Sequence, residues 1–349
     1  LFEYMITENA QDVNFESINL MELKDLIFLY SAMLRINELA LDEDFVEIDP
    51  LNLTIPVILS ESSKMEIRIK AANKAFYDEV LSIDSLSALY QSVDFNSKEF
   101  NNPEQTILSL NNNKELIMAF YYQLANIQIF PDQRLNVILD YWKFAKSFGL
   151  EKIAYANTKN IIETFSPTSE NTKFGMEVAL AHISNKNYAE ALKWINLYEN
   201  YDSSYEKIEY AKFLIELNEE NNLDLVIKYL SNNYNNFTNL NNQKNHETLE
   251  VLINFLNLQD IPQLEFPFNE ILDERPMPSY FLIKEIKNNI QDEKNISIFI
   301  LSLISINNQK FSDLHPEHLN LILNVYNLYD GGSLIKPIIL EILNELEIF

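Results

Sequence analysis

The sequence predicts an all-α fold, a right-handed superhelix of antiparallel helix pairs, and three observations predict it. Only 4 of 349 residues are glycine, against an ordinary share of about 7%. Helix-capping signals recur along the chain, and apolar residues return at spacings of three and four rather than two. Strand-like alternation is confined to Leu51–Leu59, where Pro56 argues against a central strand.

Taken in order, Asn19 followed by Glu22 marks the start of a helix over Leu20–Leu41. Leu41–Pro50 (LDEDFVEIDP) reads as an acidic loop, leading into the extended stretch 51–59. Ser63 followed by Glu66 opens a helix to Val80, the pattern in which cap side chain and third-residue Glu satisfy each other's free amides. Phe120, Tyr121 and Tyr122 point around a helix rather than along one face, so core packing is expected of them rather than a stacking platform.

Pro131 in a first turn and Gly149 just past an end bracket a helix through Phe148. Its Leu135, Ile138, Leu139, Trp142 and Ala145 form one apolar stripe. Ser203 with Glu206 opens a later helix. The asparagine-rich 231–245 reads as a connector, and the four prolines of 261–279 exclude a helix there. About fourteen helices of about 10–20 residues result, and their short connections make consecutive helices antiparallel neighbours. Three regions follow: 1–60, an N-terminal helix with an acidic and extended linker; 61–235, a helical-repeat region; and 236–349, a C-terminal helical region carrying the proline-rich loop 261–279.

Composition narrows the chemistry. Phosphate-cradling loops, dinucleotide turns and nucleophile elbows need glycine at tight positions, and Gly149, Gly175, Gly331 and Gly332 lie in no such motif. With no cysteine there is neither a disulfide nor a thiolate site. The 52 acidic and 26 basic residues leave a net charge of −26, which repels nucleic acid and anionic lipid and suits a basic partner. The longest apolar run, Ile296–Ile306, is too short for a bilayer span, so no membrane insertion is expected. A soluble protein is expected, cytoplasmic or periplasmic; Leu1 in place of methionine suggests a processed or trimmed start. The Asn-x-Ser/Thr triplets at Asn52, Asn236 and Asn295 are what chance gives in an asparagine-rich chain.

Lys173–Asn200 (KFGMEVALAHISNKNYAEALKWINLYEN) carries the clearest internal module, and it resembles a tetratricopeptide repeat. Val178 and Ala179 fall mid-helix A; Tyr188 follows the turn, Ala191 supplies the small residue three positions on, and Ile195 stands where an aromatic is usual. Small residues there let the two helices approach closely. The departures are Gly175 for a large aromatic, His182 for Tyr, Tyr198 for Ala and Ser203 for Pro. The resemblance implies a solenoid with a groove lined by helix A, and it puts Lys173, Met176 and Leu180 on the inner surface as binding contacts. More loosely, Lys64–Phe95 is similar to a group of uncharacterised alphaproteobacterial helical proteins, which implies a helical fold and no particular activity.

Catalytic and metal motifs are sparse. His315 and His318 (HPEH) have a spacing that suits two ligands on one helical face, but Pro316 places His315 at or before the helix start. Asp42, Glu43, Asp44, Glu47 and Asp49 lack the spacing and turn glycine of a calcium loop. His182 reads as a packed structural histidine. The glutamate-centred, glycine-rich segment of helical lytic transglycosylases is missing, and among so many carboxylates nothing selects a glycosidase pair. The expectation is therefore a non-enzymatic protein- or peptide-binding scaffold without cofactor or metal. The alternative is an all-α enzyme or carbohydrate-binding protein whose pocket is closed by 261–279.

Overall fold

In the computed structural model the described residues are 26–48, 50–200, 205–219, 224, 226, 228–230, 243–256, 275–291, 295–307, 309–329 and 334–345. Every regular element among them is a helix. The chain forms two compact units, 1–203 and 204–349. The asparagine-rich segment 231–242, the proline-rich 261–274 and the proposed caps at Asn19 and Ser203 lie outside the described residues.

In the first unit the helices are α1 Ile27–Ile36, α2 Glu43–Ile48, α3 Pro50–Ile58, α4 Met65–Tyr77, α5 Ile83–Gln91, α6 Ser97–Asn101 and α7 Pro103–Ser109. They continue as α8 Lys114–Ile127, α9 Pro131–Lys146, α10 Glu151–Asn157, α11 Lys159–Ile162, α12 Gly175–Ser184 and α13 Tyr188–Glu199. The closest packing is between consecutive helices: α3 on α4, α8 on α9 and, above all, α12 on α13. The short α10 also touches α5, α8, α9 and α12, so the middle of the unit packs beyond its chain neighbours.

Two sequence expectations are corrected near the start. The helix read through Leu41 stops at Ile36, where Glu38 takes φ +54° and Leu39 N–H bonds the Leu34 carbonyl. The acidic and extended readings give way to helix over Glu43–Ile48 and Pro50–Ile58. Phe45 and Val46 enter the core while Glu43 and Glu47, one turn apart, both bond Lys70 of α4. Leu53 with Val57 and Thr54 with Ile58 recur at helical spacing on the buried face of α3. Pro56 sits within that helix, which ends two residues later.

Ser63 is not the cap of α4; Lys64 holds that position with no side-chain bond. The Ser63 hydroxyl accepts from Leu41 N–H and donates to Leu41 C=O, both at 2.8 Å, so a long-range tie outcompetes the local cap. The α9 brackets hold: Pro131 is in the first turn and Gly149 has φ +67°. Leu150 N–H reaches back to the Ala145 carbonyl at 2.9 Å, the six-to-one bond of a left-handed helix ending.

In the second unit the helices are α14 Tyr205–Glu219, α15 Gln243–Phe255, α16 Tyr280–Gln291, α17 Asn295–Ile306, α18 Pro316–Tyr329 and α19 Ile335–Glu345. The main core gathers Phe213, Leu249, Leu252, Ile322, Ile339 and their neighbours, with Phe213 stacked on Tyr229 at 4.1 Å. A satellite of Ile286, Ile298 and Val325 joins α16, α17 and α18. Arg275, just before α16, clamps onto α15 through Glu247 at 2.6 Å and Thr248 at 3.1 Å.

Candidate functional site

The hairpin α12–α13 is the site that the sequence singled out, and its crossing is as close as small residues allow. Val178, Ala179, Ala191 and Ile195 are fully buried. The three-residue turn between the helices puts Lys186 at φ +59°, with Asn187 N–H bonding the His182 carbonyl at 2.8 Å. Two departures from the repeat pattern meet here. A Cβ on Gly175 would lie 3.0 Å from Tyr198 Cβ and 3.2 Å from the Trp194 carbonyl oxygen. Gly175 on one helix thus makes room for Tyr198 on the other, a small residue facing a large one across the crossing.

The three contact residues separate on this hairpin. Lys173 is exposed, with its ammonium 4.6 Å from the Phe174 ring centre. Leu180 is half-buried. Met176 is 2% exposed and belongs to the core; near a crossing this tight, an unbranched apolar side chain is drawn inward. Accessible surface thus remains on Lys173 and Leu180. His182 is 1% exposed, and burial holds its pKa below the ordinary value. It is neutral packing material, as its place inside helix A suggested.

The other histidines also separate. Pro316 opens α18 and His315 precedes it, its Nδ1 accepting from Glu317 N–H at 3.3 Å. His318 is buried on α18, with Nε2 3.0 Å from Ser305 Oγ of α17, and burial pushes its pKa down to about 4. Among the described residues no three metal-ligating side chains converge. None of the helices described is long and apolar enough to cross a membrane.

A second constellation was not selected by the sequence. Tyr90 and Tyr141 are fully buried at the junction of α5 and α9 with α4, α8 and α10. Tyr90 donates to Asn73 Oδ1 at 2.8 Å, and Asn157 donates to the Tyr141 hydroxyl at 2.8 Å. The Gln123 amide bonds the carbonyls of Tyr90 and Val93, both at 2.8 Å, which satisfies the C-terminal end of α5. Phe120 packs between Phe95 and Phe100 in the core, while half-buried Tyr121 stacks on Tyr141 and half-buried Tyr122 meets Tyr90, so each ring packs within the fold.

At the edge of this layer Tyr77 donates to the Gly149 carbonyl at 2.9 Å. Burial raises the pKa values of Tyr77, Tyr90 and Tyr141, so they are neutral phenols at any physiological pH. Burial also lifts the Glu115 carboxyl above its usual range, with Lys114 only 3.9 Å away as a partial offset. Glu151 leaves Oε2 buried without a hydrogen-bond partner. An easily protonated carboxyl beside neutral phenols can donate or accept at a polar ligand. Five separate helices bring these groups together, and no spacing in the linear sequence announces them.

Comparison with protein-family models, with curated proteins and with solved structures finds no match.

Proposed function

We propose that this chain is a non-enzymatic binding protein: a right-handed, tetratricopeptide-like superhelix of antiparallel helix pairs whose groove takes a protein or peptide. The observation that carries the reading is the α12–α13 hairpin. It keeps buried Ala179 and Ala191 at a close crossing, leaves Leu180 half-buried on its first helix and leaves Lys173 exposed in the 3-10 turn just before that helix. Grooves of stacked helix pairs bind extended segments through many modest contacts. With a net charge of −26, the expected partner is basic.

The test is binding kinetics of the immobilised full chain against a library of basic peptides, followed by the Leu180→Asp and Lys173→Ala variants. Leu180→Asp is expected to weaken the best peptide at least about tenfold without changing the melting temperature, because it desolvates a charge against an apolar contact. Raising salt from about 50 to about 500 mM shortens the Debye length from about 14 to about 4 Å, so association should slow. A salt-independent rate removes the electrostatic part of the proposal. Binding unaffected by either substitution removes this hairpin as the site.

A second reading has one observation in its favour. Glu115, whose carboxyl is raised by burial within electrostatic range of Tyr90 on the neighbouring helix, would serve as a proton donor in a carbohydrate-binding or hydrolytic site. Turnover or binding of a glycan that Glu115→Gln abolishes would replace the scaffold reading with this one.

A further inference from the structure

The α17 sequence (NISIFILSLISI) is apolar around its whole circumference and has no ionisable side chain from Asn295 to Ile306. A helix of that kind is normally buried on all sides. Its inner face is: Ile298, Ser302, Ser305 and Ile306 turn into the unit, with Ile298 packed on Ile286 and Val325. Its outer face is not: Ile296 is 72% exposed, Ile300 51%, Leu303 50% and Ile304 58%. Four large aliphatic side chains in water on adjacent turns form an apolar patch rather than scattered exposure.

We propose that this face is covered by a second copy of the same chain, through an antiparallel α17–α17 contact about a two-fold axis at Ile300. Two arguments select that occupant. Two molecules of net charge −26 repel one another over most of their surface, and three turns of α17 present no charge to oppose the approach. The stripe is also its own complement. Ile296, Ile300 and Ile304 are spaced four and four, so an antiparallel partner sets Ile296 against Ile304 of the second copy and Ile300 against itself. That self-complementarity is what an isologous two-fold contact requires. The proposal stands apart from the peptide-binding reading of α12–α13 and survives its failure.

Sedimentation equilibrium of the full chain should show a monomer–dimer equilibrium. Ile300→Asp, which places two carboxylates face to face on the axis, should raise the dissociation constant at least about a hundredfold. Its helix content should stay unchanged, because the residue is half exposed. The chain has no cysteine, so introduced thiols report without background. Ile300→Cys should cross-link under mild oxidation, within the Cα separation that a disulfide tolerates. Ile296→Cys alone should not, while Ile296→Cys combined with Ile304→Cys should. A monomer at all concentrations overturns the proposal, and so does a dimer that Ile300→Asp leaves intact. Cross-linking by Ile296→Cys alone overturns the antiparallel arrangement. A monomer whose Ile300→Cys thiol resists alkylation assigns the face to another segment of the same chain.

Discussion

His318 shows how much one buried side chain constrains. Its imidazole is buried against the Ser305 hydroxyl, and the hydration lost on burial, with His315 nearby, opposes protonation until about pH 4. In the unfolded chain the same group binds its proton near 6.5. Between those values the unfolded state holds more protons, so the stability present above about pH 6.5 is lost as pH falls toward 4. Denaturant titrations at pH 7 and pH 5 should show a lower midpoint at pH 5, and His318→Gln should shrink that difference. Gly175 makes a steric counterpart. Gly175→Leu should destabilise by about 1–3 kcal/mol through overpacking against Tyr198 and the Trp194 carbonyl. Adding Tyr198→Ala should recover part of the loss; a purely additive double mutant in thermal or denaturant unfolding would show that the two do not share the contact.

The helices themselves were legible wherever local chemistry decided them. Pro131, Gly149 and the stripe from Leu135 to Ala145 define α9 in the sequence because cap, turn and apolar face all agree. Two local signals mislead over 41–58: the acids of 41–50 suggest a solvated loop, and the alternation of 51–59 suggests an extended strand. Lys70 lies 23 residues beyond Glu47, so neither its pairing with the acids of α2 nor the burial of Phe45 and Val46 is visible at short range. Ser63 was misread for the same reason, its hydroxyl being taken by Leu41. The candidate site divides likewise. The small residues at the α12–α13 crossing follow from one hairpin's spacing, whereas Tyr77, Tyr90, Glu115, Tyr141 and Glu151 come together only through tertiary packing. For the hairpin, Ala191→Leu should cost about 1–3 kcal/mol, since Ala191 is fully buried in α13, the helix packed most closely on α12. An unchanged melting temperature would contradict the close crossing.

For the whole molecule, charge sets behaviour in solution. A net charge of −26 and an isoelectric point near 4.5 put minimum solubility in the same acidic window in which His318 withdraws its contribution to folding. Light scattering should therefore detect association on acidification toward that pH, and added salt should not fully reverse it once unfolded chains contribute.

The Leu41–Ser63 tie gives this chain a built-in reporter. The Leu41 amide is outside any helix yet donates to a hydroxyl across the loop that holds α2 and α3. It can exchange with deuterium only when that bond lets go, so its protection measures the opening of 41–63 as a single event. Ser63→Ala would unlatch that one amide and leave the helical amides on either side to exchange on their own schedules.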